Sequence, residues 1–448
     1  MKPKSLLTIS ALLLGLNTGF AQFIVKSTFM ETTGVSNQGL VAGYYAQGGV
    51  YSLWNPDSAT TRDIDGLAPG FGVGGQARFS DDGTFLCGTS RAAAGAEMSR
   101  FDYSTGLWTT LGSLGFPVDS TFSGGYGISG DGNTVVGNSW ADTTGGHAYT
   151  HAVAWNPIEG VMDLGSLFSA NWTSARANAV SGDGNIVVGW QDFNGPWKSA
   201  VWRKDPAGGY FANEYLLIDT NGSATDEFNQ LGECSAVSSD GNWIGGYGDY
   251  ANNGEPWIWS QSTGVINLGL LPGALSGSVS GINSDGSVVV GWQDGFFGDP
   301  QQPFIWTPTG GMKNLNDYIN YDLGYSTGTN QIYTANCMSS NGEYVAGFGV
   351  DTSNFSYFAY RAHLVPSTGV DELHSASISV YPNPASNSIR IINTDKSMLT
   401  IVSLEGKIVC KTEVNGNATI DVSKFAKGIY QINLESGASI RRGRFVKE

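Results

Sequence analysis

Few residues in this sequence could carry a reaction. The four histidines are His147, His151, His363 and His374. His147 and His151 flank one short loop strand, and His374 falls in a polar stretch near the C-terminus, so they define no Ser-His-Asp arrangement. Cys87, Cys234, Cys337 and Cys410 are widely spread, with no CxxC or Cys/His spacing that would point to zinc. We expect most of them to be buried, unpaired thiols. Carboxylates are the remaining candidates. Two of them brought together from distant parts of a chain can hydrolyse a glycosidic bond. Asp192, Asp249, Glu255 and Asp294 sit on inter-strand loops where that could happen, although a solvated loop is the commoner fate of such residues. Trp190, Trp257 and Trp292 lie beside the same segments. Their rings could stack on sugars as ligand-binding residues, or fill the space between sheets. The sequence assigns no catalytic residue, no metal and no cofactor.

The elements that would position these residues are repeats. ISGDGNTVVG at 128–137 returns as VSGDGNIVVG at 180–189, VSSDGNWIGG at 237–246 and INSDGSVVVG at 282–291. Weaker copies are VSNQGLVAG at 35–43, FSDDGTFLCG at 79–88 and MSSNGEYVAG at 338–347. The turn glycines Gly39, Gly83, Gly132, Gly184, Gly241, Gly286 and Gly342 are spaced by 44, 49, 52, 57, 45 and 56 residues. Such a period suits the blades of a β-propeller. Each copy reads as four short strands: an apolar run before Asp-Gly, a run such as Val135-Val136-Gly137, an aromatic-ended run such as Ala152-Val153-Ala154-Trp155, and Val161-Met162-Asp163-Leu164-Gly165. Asp-Gly predicts a type I′ hairpin turn with positive φ at both positions. The aspartate is then structural, bonding nearby backbone N–H groups. Calcium binding would need more oxygens than one acidic residue per loop.

The order Asp-Gly, Val-Val-Gly, aromatic strand, Leu-Gly resembles the extracellular HAF repeat across roughly residues 34–365, with His151-Ala152-Val153 keeping the eponymous step once. The resemblance implies a β-propeller and no particular activity. The seventh copy lacks its Leu-Gly strand, while Phe23–Phe29 precedes the first copy as a spare strand. Pairing it into the last blade would close a seven-bladed ring and cover an open edge. We therefore expect an all-β chain, with a seven-bladed propeller over 22–365.

Composition shifts after Leu364. A polar linker, 366–377, leads to Tyr381-Pro382-Asn383-Pro384, then to Gly428-Ile429-Tyr430 and finally Phe445-Val446-Lys447. This order resembles the type A C-terminal sorting domain of the type IX secretion system of Bacteroidota. The resemblance implies a small Ig-like β-sandwich over 378–448, recognised by the secretion machinery at the outer membrane. At the other end, Lys2 and Lys4 precede the apolar run Leu6–Leu16, and Gly19-Phe20-Ala21 offers a cleavage site. Residues 1–21 read as a signal peptide. No transmembrane anchor is expected in the mature chain.

Charge follows the same division. Residues 371–448 hold ten Lys/Arg and eight Asp/Glu, whereas residues 22–370 hold eleven and 31, a net charge of −20. An acidic propeller is a poor partner for nucleic acid. The expected destination is the cell surface or the medium, by way of the periplasm. Two functions fit. The first is a non-catalytic surface propeller that binds a glycan, protein or matrix component. The second is an extracellular polysaccharide hydrolase or lyase with carboxylates at its mouth. The repeated residues are turn and core types, and no copy shows an unusual polar cluster, which favours binding.

Overall fold

The computed structural model describes residues 23–69, 74–116, 118, 120–142, 149–165, 173–192, 197–211, 230–364, 380–391, 396–403, 407–436 and 439–448. The predicted signal peptide and linker lie outside them, as do His147 and His374. The chain divides into two compact units, Met1–Pro366 and Ser367–Glu448.

The first unit is all-β, with antiparallel sheets that follow one another along the chain. The first sheet is Glu31–Val35, Val41–Tyr44, Tyr51–Asn55 and Thr60–Asp63. The second is Arg78–Phe79, Phe85–Arg91, Ala96–Asp102 and Leu107–Gly112. The third is Ser123–Ile128, Val135–Asp142, Tyr149–Asn156 and Gly160–Gly165. The fourth shows three strands among the described residues: Ala175–Val180, Ile186–Asp192 and Trp197–Arg203. The fifth runs Cys234–Val237, Ile244–Gly246, Trp257–Ser260, Gly264–Asn267, and the sixth Ser276–Ile282, Val289–Asp294, Gln302–Thr307, Gly311–Asn314. A last sheet combines Asn330–Ile332 and Cys337–Met338 with Tyr344–Asp351 and Ser356–His363. Its outer strand is Phe23–Lys26, paired antiparallel so that Phe23 faces Ala362 and Lys26 faces Ala359. The strand preceding the first repeat thus joins the sheet that lacks one, and the edge is covered. Between sheets, buried side chains meet in shared clusters. Val136, Ala152 and Ala154 of the third sheet pack on Val187, Ala200 and Trp202 of the fourth. Val41 and Trp54 of the first pack on Ala346 and Ala359 of the last.

The repeated turn has one geometry. Ser129 Oγ donates to Asp131 Oδ1 (2.5 Å), the same oxygen accepts from the Asn133 amide (2.9 Å), and Ser129 Oγ accepts from the Thr134 amide (2.9 Å). Ser181, Asp183, Asn185 and Ile186 repeat the pattern, as do Ser238, Asp240, Asn242 and Trp243. The aspartate therefore serves its own loop. The expected type I′ turn is not what forms. Only the glycine is left-handed, with φ from 71 to 77° at all seven markers, and the preceding aspartates are not. Gly132 N–H bonds to Ser129 C=O (2.9 Å), so the turn is centred on Gly130-Asp131 and the left-handed glycine follows it. The serine hydroxyl and the carboxylate fix this longer loop, which a two-residue hairpin would not need. The turns of different sheets also bond to one another. The Asp81 amide donates to Gly130 C=O, the Gly182 amide to Ser239 C=O, and the Ser284 amide to Ser340 C=O. Ser239 Oγ reaches Asp81 Oδ2 at 2.8 Å from 158 residues away.

The second unit has a three-stranded sheet, Val380–Tyr381, Ser388–Ile391 and Ala418–Asp421, and a four-stranded sheet, Ile408–Asn415, Lys396–Ser403, Gly428–Ser436 and Ser439–Lys447. Both contribute to one core that includes Ile389, Ile391, Leu399, Ile401, Tyr430, Ile432 and Phe445.

Candidate functional site

The second glycine of each repeat, the one ending Val-Val-Gly, decides where the site is. A Cβ on Gly137 would stand 1.9 Å from Gly124 O, on Gly189 1.9 Å from Arg176 O, and on Gly291 2.0 Å from Ser278 O. Only glycine lets the innermost strand come this close. At that contact the innermost strand bulges. The register skips Thr33, Tyr126, Asn178, Ser235 and Ser280 in five of the sheets. A bulge re-aims one side chain out of the ladder. All five skipped residues line one central chamber.

That chamber has a volume of about 250 Å³. Besides the bulge residues it is lined by Glu31, Tyr44, Gln76, Arg78, Arg176, Glu233, Trp292 and Asn336. A second cavity of about 120 Å³ continues toward the repeated turns and is lined from the innermost strand of every one of these sheets. The two share Thr33, Arg78 and Ser280, so Arg78 stands where they meet.

The charged groups are held firmly. Arg176 lies over the Tyr126 ring, 4.5 Å from its centroid, and within 5.4 Å of that of Trp190. Its Nε donates to Asn178 Oδ1 (2.8 Å), and its NH2 is 3.8 Å from Glu233 Oε2. Asn178 Nδ2 donates to the same carboxylate at 3.2 Å and to Cys234 C=O at 2.8 Å. Burial pushes the Glu233 carboxyl above its ordinary value, against the opposing pull of Arg176 and Asn178. Glu31 is likewise raised by burial, with Asn336 Nδ2 donating to its Oε1 at 3.0 Å. Burial, with the charges of Glu31 and Tyr126, drives the Tyr44 hydroxyl up to about 12. Arg78 donates to Gln76 Oε1 at 3.1 Å, and burial lowers its pKa. The chamber thus presents two guanidiniums, two carboxyls inclined to hold a proton, amides and aromatic rings. It can bind a polar ligand by hydrogen bonds and stacking, and it carries the groups that acid–base chemistry would need.

The four carboxylates singled out by sequence are not in it. Asp192 accepts from the Ser174 amide at 3.0 Å, and burial raises its pKa. Asp249 accepts from the buried Lys198 ammonium. Glu255 caps the Gly269 amide (3.1 Å), and Asp294 accepts from Gln301 Nε2 (3.0 Å). Of the tryptophans, Trp257 is fully buried with its N–H on Tyr247 C=O. Trp190 is buried and stacks on Trp197, centroids 4.4 Å apart. Trp292 alone of the three lines the chamber. His151 Nδ1 sits 2.9 Å from Asp163, and His363 lies 3.8 Å from Glu343, both away from the chamber. Cys87, Cys234, Cys337 and Cys410 are free thiols, the first three buried, and burial pushes Cys87 and Cys337 up to about 12.

The chamber residues escaped sequence reading although a signal exists. Aligned eight positions before each turn glycine stand Glu31, Gly75, Gly124, Arg176, Glu233, Ser278 and Thr334. The polar cluster is divided among the repeats, and the aligned position is glycine in two of them, so no single copy looks unusual.

In the second unit the motif ends meet. Asn383 Oδ1 accepts from the Val446 amide (2.8 Å), Asn383 Nδ2 donates to Arg444 C=O (3.3 Å), and the Ala385 amide donates to Val446 C=O (2.8 Å). Tyr430 stacks on Phe445 with centroids 5.4 Å apart, and Gly428 pairs with Lys447. Tyr381 opens the short sheet, half-exposed, with Pro382 and Pro384 in the turn that follows.

Residues 379–448 match the family described as the secretion system C-terminal sorting domain. No curated protein matches the chain. Similar solved structures include TolB from Acinetobacter baumannii, at 16% identity and TM-score 0.38, covering 58% of this chain and 57% of that one. The β-propeller domain of the Trilobed protease from Pyrococcus furiosus is similar at 14% identity and TM-score 0.44, over 75% of this chain and 98% of that one. Oligogalacturonate lyase from Vibrio parahaemolyticus follows at 13% and 0.42, over 77% and 92%. The chain spans little more than half the length of that TolB. The first unit is propeller-like. The sorting domain marks the chain for secretion by the type IX system to the cell surface or the extracellular space. Among the described residues no helix is long and apolar enough to cross a membrane.

Proposed function

We propose that this protein is a secreted seven-bladed propeller of HAF-type repeats that binds a small glycan, or the end of a longer one, in its central chamber. Residues 378–448 are its Ig-like address, read by the type IX machinery of a member of the Bacteroidota, and residues 1–21 its signal peptide. The observation that carries the binding reading is the set of side chains that the bulged inner strands deliver to one cavity. The repeat frame supplies glycine and serine at many inner positions, yet Arg176, Glu233, Glu31, Tyr126 and Asn178 converge there. A volume near 250 Å³ is small for a drug-like ligand and suits a single polar ring with its substituents. Trp292 offers a stacking face, and the carboxyls of Glu31 and Glu233, which line the same space, offer hydroxyl partners.

A second reading is a glycan hydrolase or lyase. It is favoured by Glu31 and Glu233 lining the same chamber with pKa values that burial raises, the direction of shift a general acid requires. A glycan array with the purified protein, repeated with Trp292→Ala and Arg176→Ala, tests the binding reading. Glycans retained by the parent and lost by both variants support it. An array in which the parent retains nothing, or the variants retain the same glycans, refutes it. Turnover of a retained glycan that Glu31→Gln or Glu233→Gln abolishes would establish the enzyme instead.

A further inference from the structure

Arg78 is part-buried, and it differs from Arg361, Lys198 and Arg176 in lacking a carboxylate partner. Arg361, almost fully buried, clamps Asp57 with two hydrogen bonds of 3.0 and 2.7 Å. Lys198, also buried, is held by Asp249. Arg176 has Glu233. Arg78 has no carboxylate within 4 Å among the described residues; its side-chain partner is the neutral Gln76. Its Nε is shielded from solvent and makes no hydrogen bond. The guanidinium lies at the junction of the two cavities and feels Cys87, Cys337 and Arg176 around it. A cation in such a place is normally paired. Residues 22–370 carry a net charge of −20, so acidic residues are abundant, yet none is set against this one among the described residues. A guanidinium fork with free donors matches a planar carboxylate by two parallel hydrogen bonds.

Resting on the reading of the chamber as a glycan site, we propose that its ligand is an acidic sugar, whose carboxylate pairs with Arg78 while its ring lies in the chamber. A carboxylate is favoured over a phosphate monoester or inorganic sulfate by charge, and over a sulfate ester, also a monoanion, because its planar pair of oxygens matches the guanidinium fork. Glu31 and Glu233 line the same space, and a dianion would meet both of them with one unpaired arginine to offset it.

The test is calorimetry on the full-length protein with four sugars, glucuronate, galacturonate, glucose and galactose, and with sodium sulfate. At least one uronate is expected to bind ten-fold or more tightly than its neutral counterpart and than sulfate. Arg78→Gln is expected to remove that preference and leave the circular dichroism spectrum unchanged. Binding of neutral sugars as tight as that of uronates overturns the inference but leaves the chamber a glycan site. Preference for sulfate overturns it in favour of a general anion site. No uronate binding by the parent protein, or unchanged uronate binding by Arg78→Gln, also overturns it. Should Arg78→Gln not fold, the uronate-to-neutral ratio of the parent protein still decides. An array that retains only neutral glycans in a Trp292-dependent way separates failure of this inference from failure of the binding reading.

Discussion

The glycine that ends each Val-Val-Gly run should be intolerant of a single methyl group, and Gly189→Ala is the sharpest test. A Cβ there would lie 1.9 Å from Arg176 O and 2.9 Å from Ala177 Cα. Ordinary contact begins near 3.4 Å, so the two strands must part by about 1.5 Å. The obstructing atoms are backbone, which cannot swing aside as a side chain does. Overpacking of this kind costs about 3 kcal/mol, the upper part of the usual range. Unfolding entropy near 2.1 cal/mol/K per residue, over roughly 340 residues, turns that into a fall in Tm of about 4 °C. Gly160→Ala is the control. Gly160 has φ of 72° and nothing within 4 Å of its added Cβ. It costs the left-handed backbone alone, about 1 kcal/mol and a degree or two. Differential scanning calorimetry on both variants reads the difference. Because Arg176 carries the displaced carbonyl, Gly189→Ala should also weaken any ligand held in the chamber. A Gly189→Ala protein that melts no lower than Gly160→Ala would refute the view that close strand approach, and not the glycine's conformation, sets this position.

Other consequences follow from the same contacts. Glu31 has a folded-state pKa raised by burial, so its ionisation destabilises the fold as pH rises from its ordinary value near 4.5. Glu31→Gln should therefore raise Tm at pH 7 and leave it unchanged at pH 4; an unchanged pH profile would contradict the assignment. The turn carboxylates Asp82, Asp131, Asp183 and Asp285 have the opposite sign, since hydrogen bonds from their own loops outweigh burial and lower their pKa. Their contribution is present above about pH 4 and lost as pH falls through the lowered folded values, so acid titration of Tm should steepen below pH 4 and flatten when two of them become Asn. Asp57→Asn leaves the Arg361 guanidinium, 2% exposed, without its counter-charge where the last sheet meets the first. It should cost about 3 kcal/mol, at the low end for a broken buried pair because Asp57 is part-exposed, as read by urea denaturation. Deleting 378–448 should leave a folded first unit in the periplasm, while the intact chain reaches the surface or medium; equal export of both would refute the address role.

Sequence alone determined the repeat, the all-β class and the sorting module. Those features are written in local chemistry: a left-handed glycine, a serine and an aspartate that bond within their own loop, and short apolar runs between turns. It also placed a spare strand before the first repeat, and Phe23–Lys26 does pair with Ser356–His363. Local chemistry misjudged the turn type, because the Ser129 hydroxyl and Asp131 carboxylate stabilise a longer loop than Asp-Gly implies on its own. The chamber was decided by tertiary structure. Glu31 and Glu233 are some two hundred residues apart and meet in one cavity only because successive sheets turn their innermost strands inward. The bulges that aim Tyr126 and Asn178 into it depend on a carbonyl approaching a glycine of the neighbouring strand, a contact that spacing along the chain does not record. Asp249 and Glu255 looked available in sequence and are engaged by Lys198 and the Gly269 amide. A carboxylate's freedom depends on what the fold sets beside it, and that is fixed by packing between repeats and not within one.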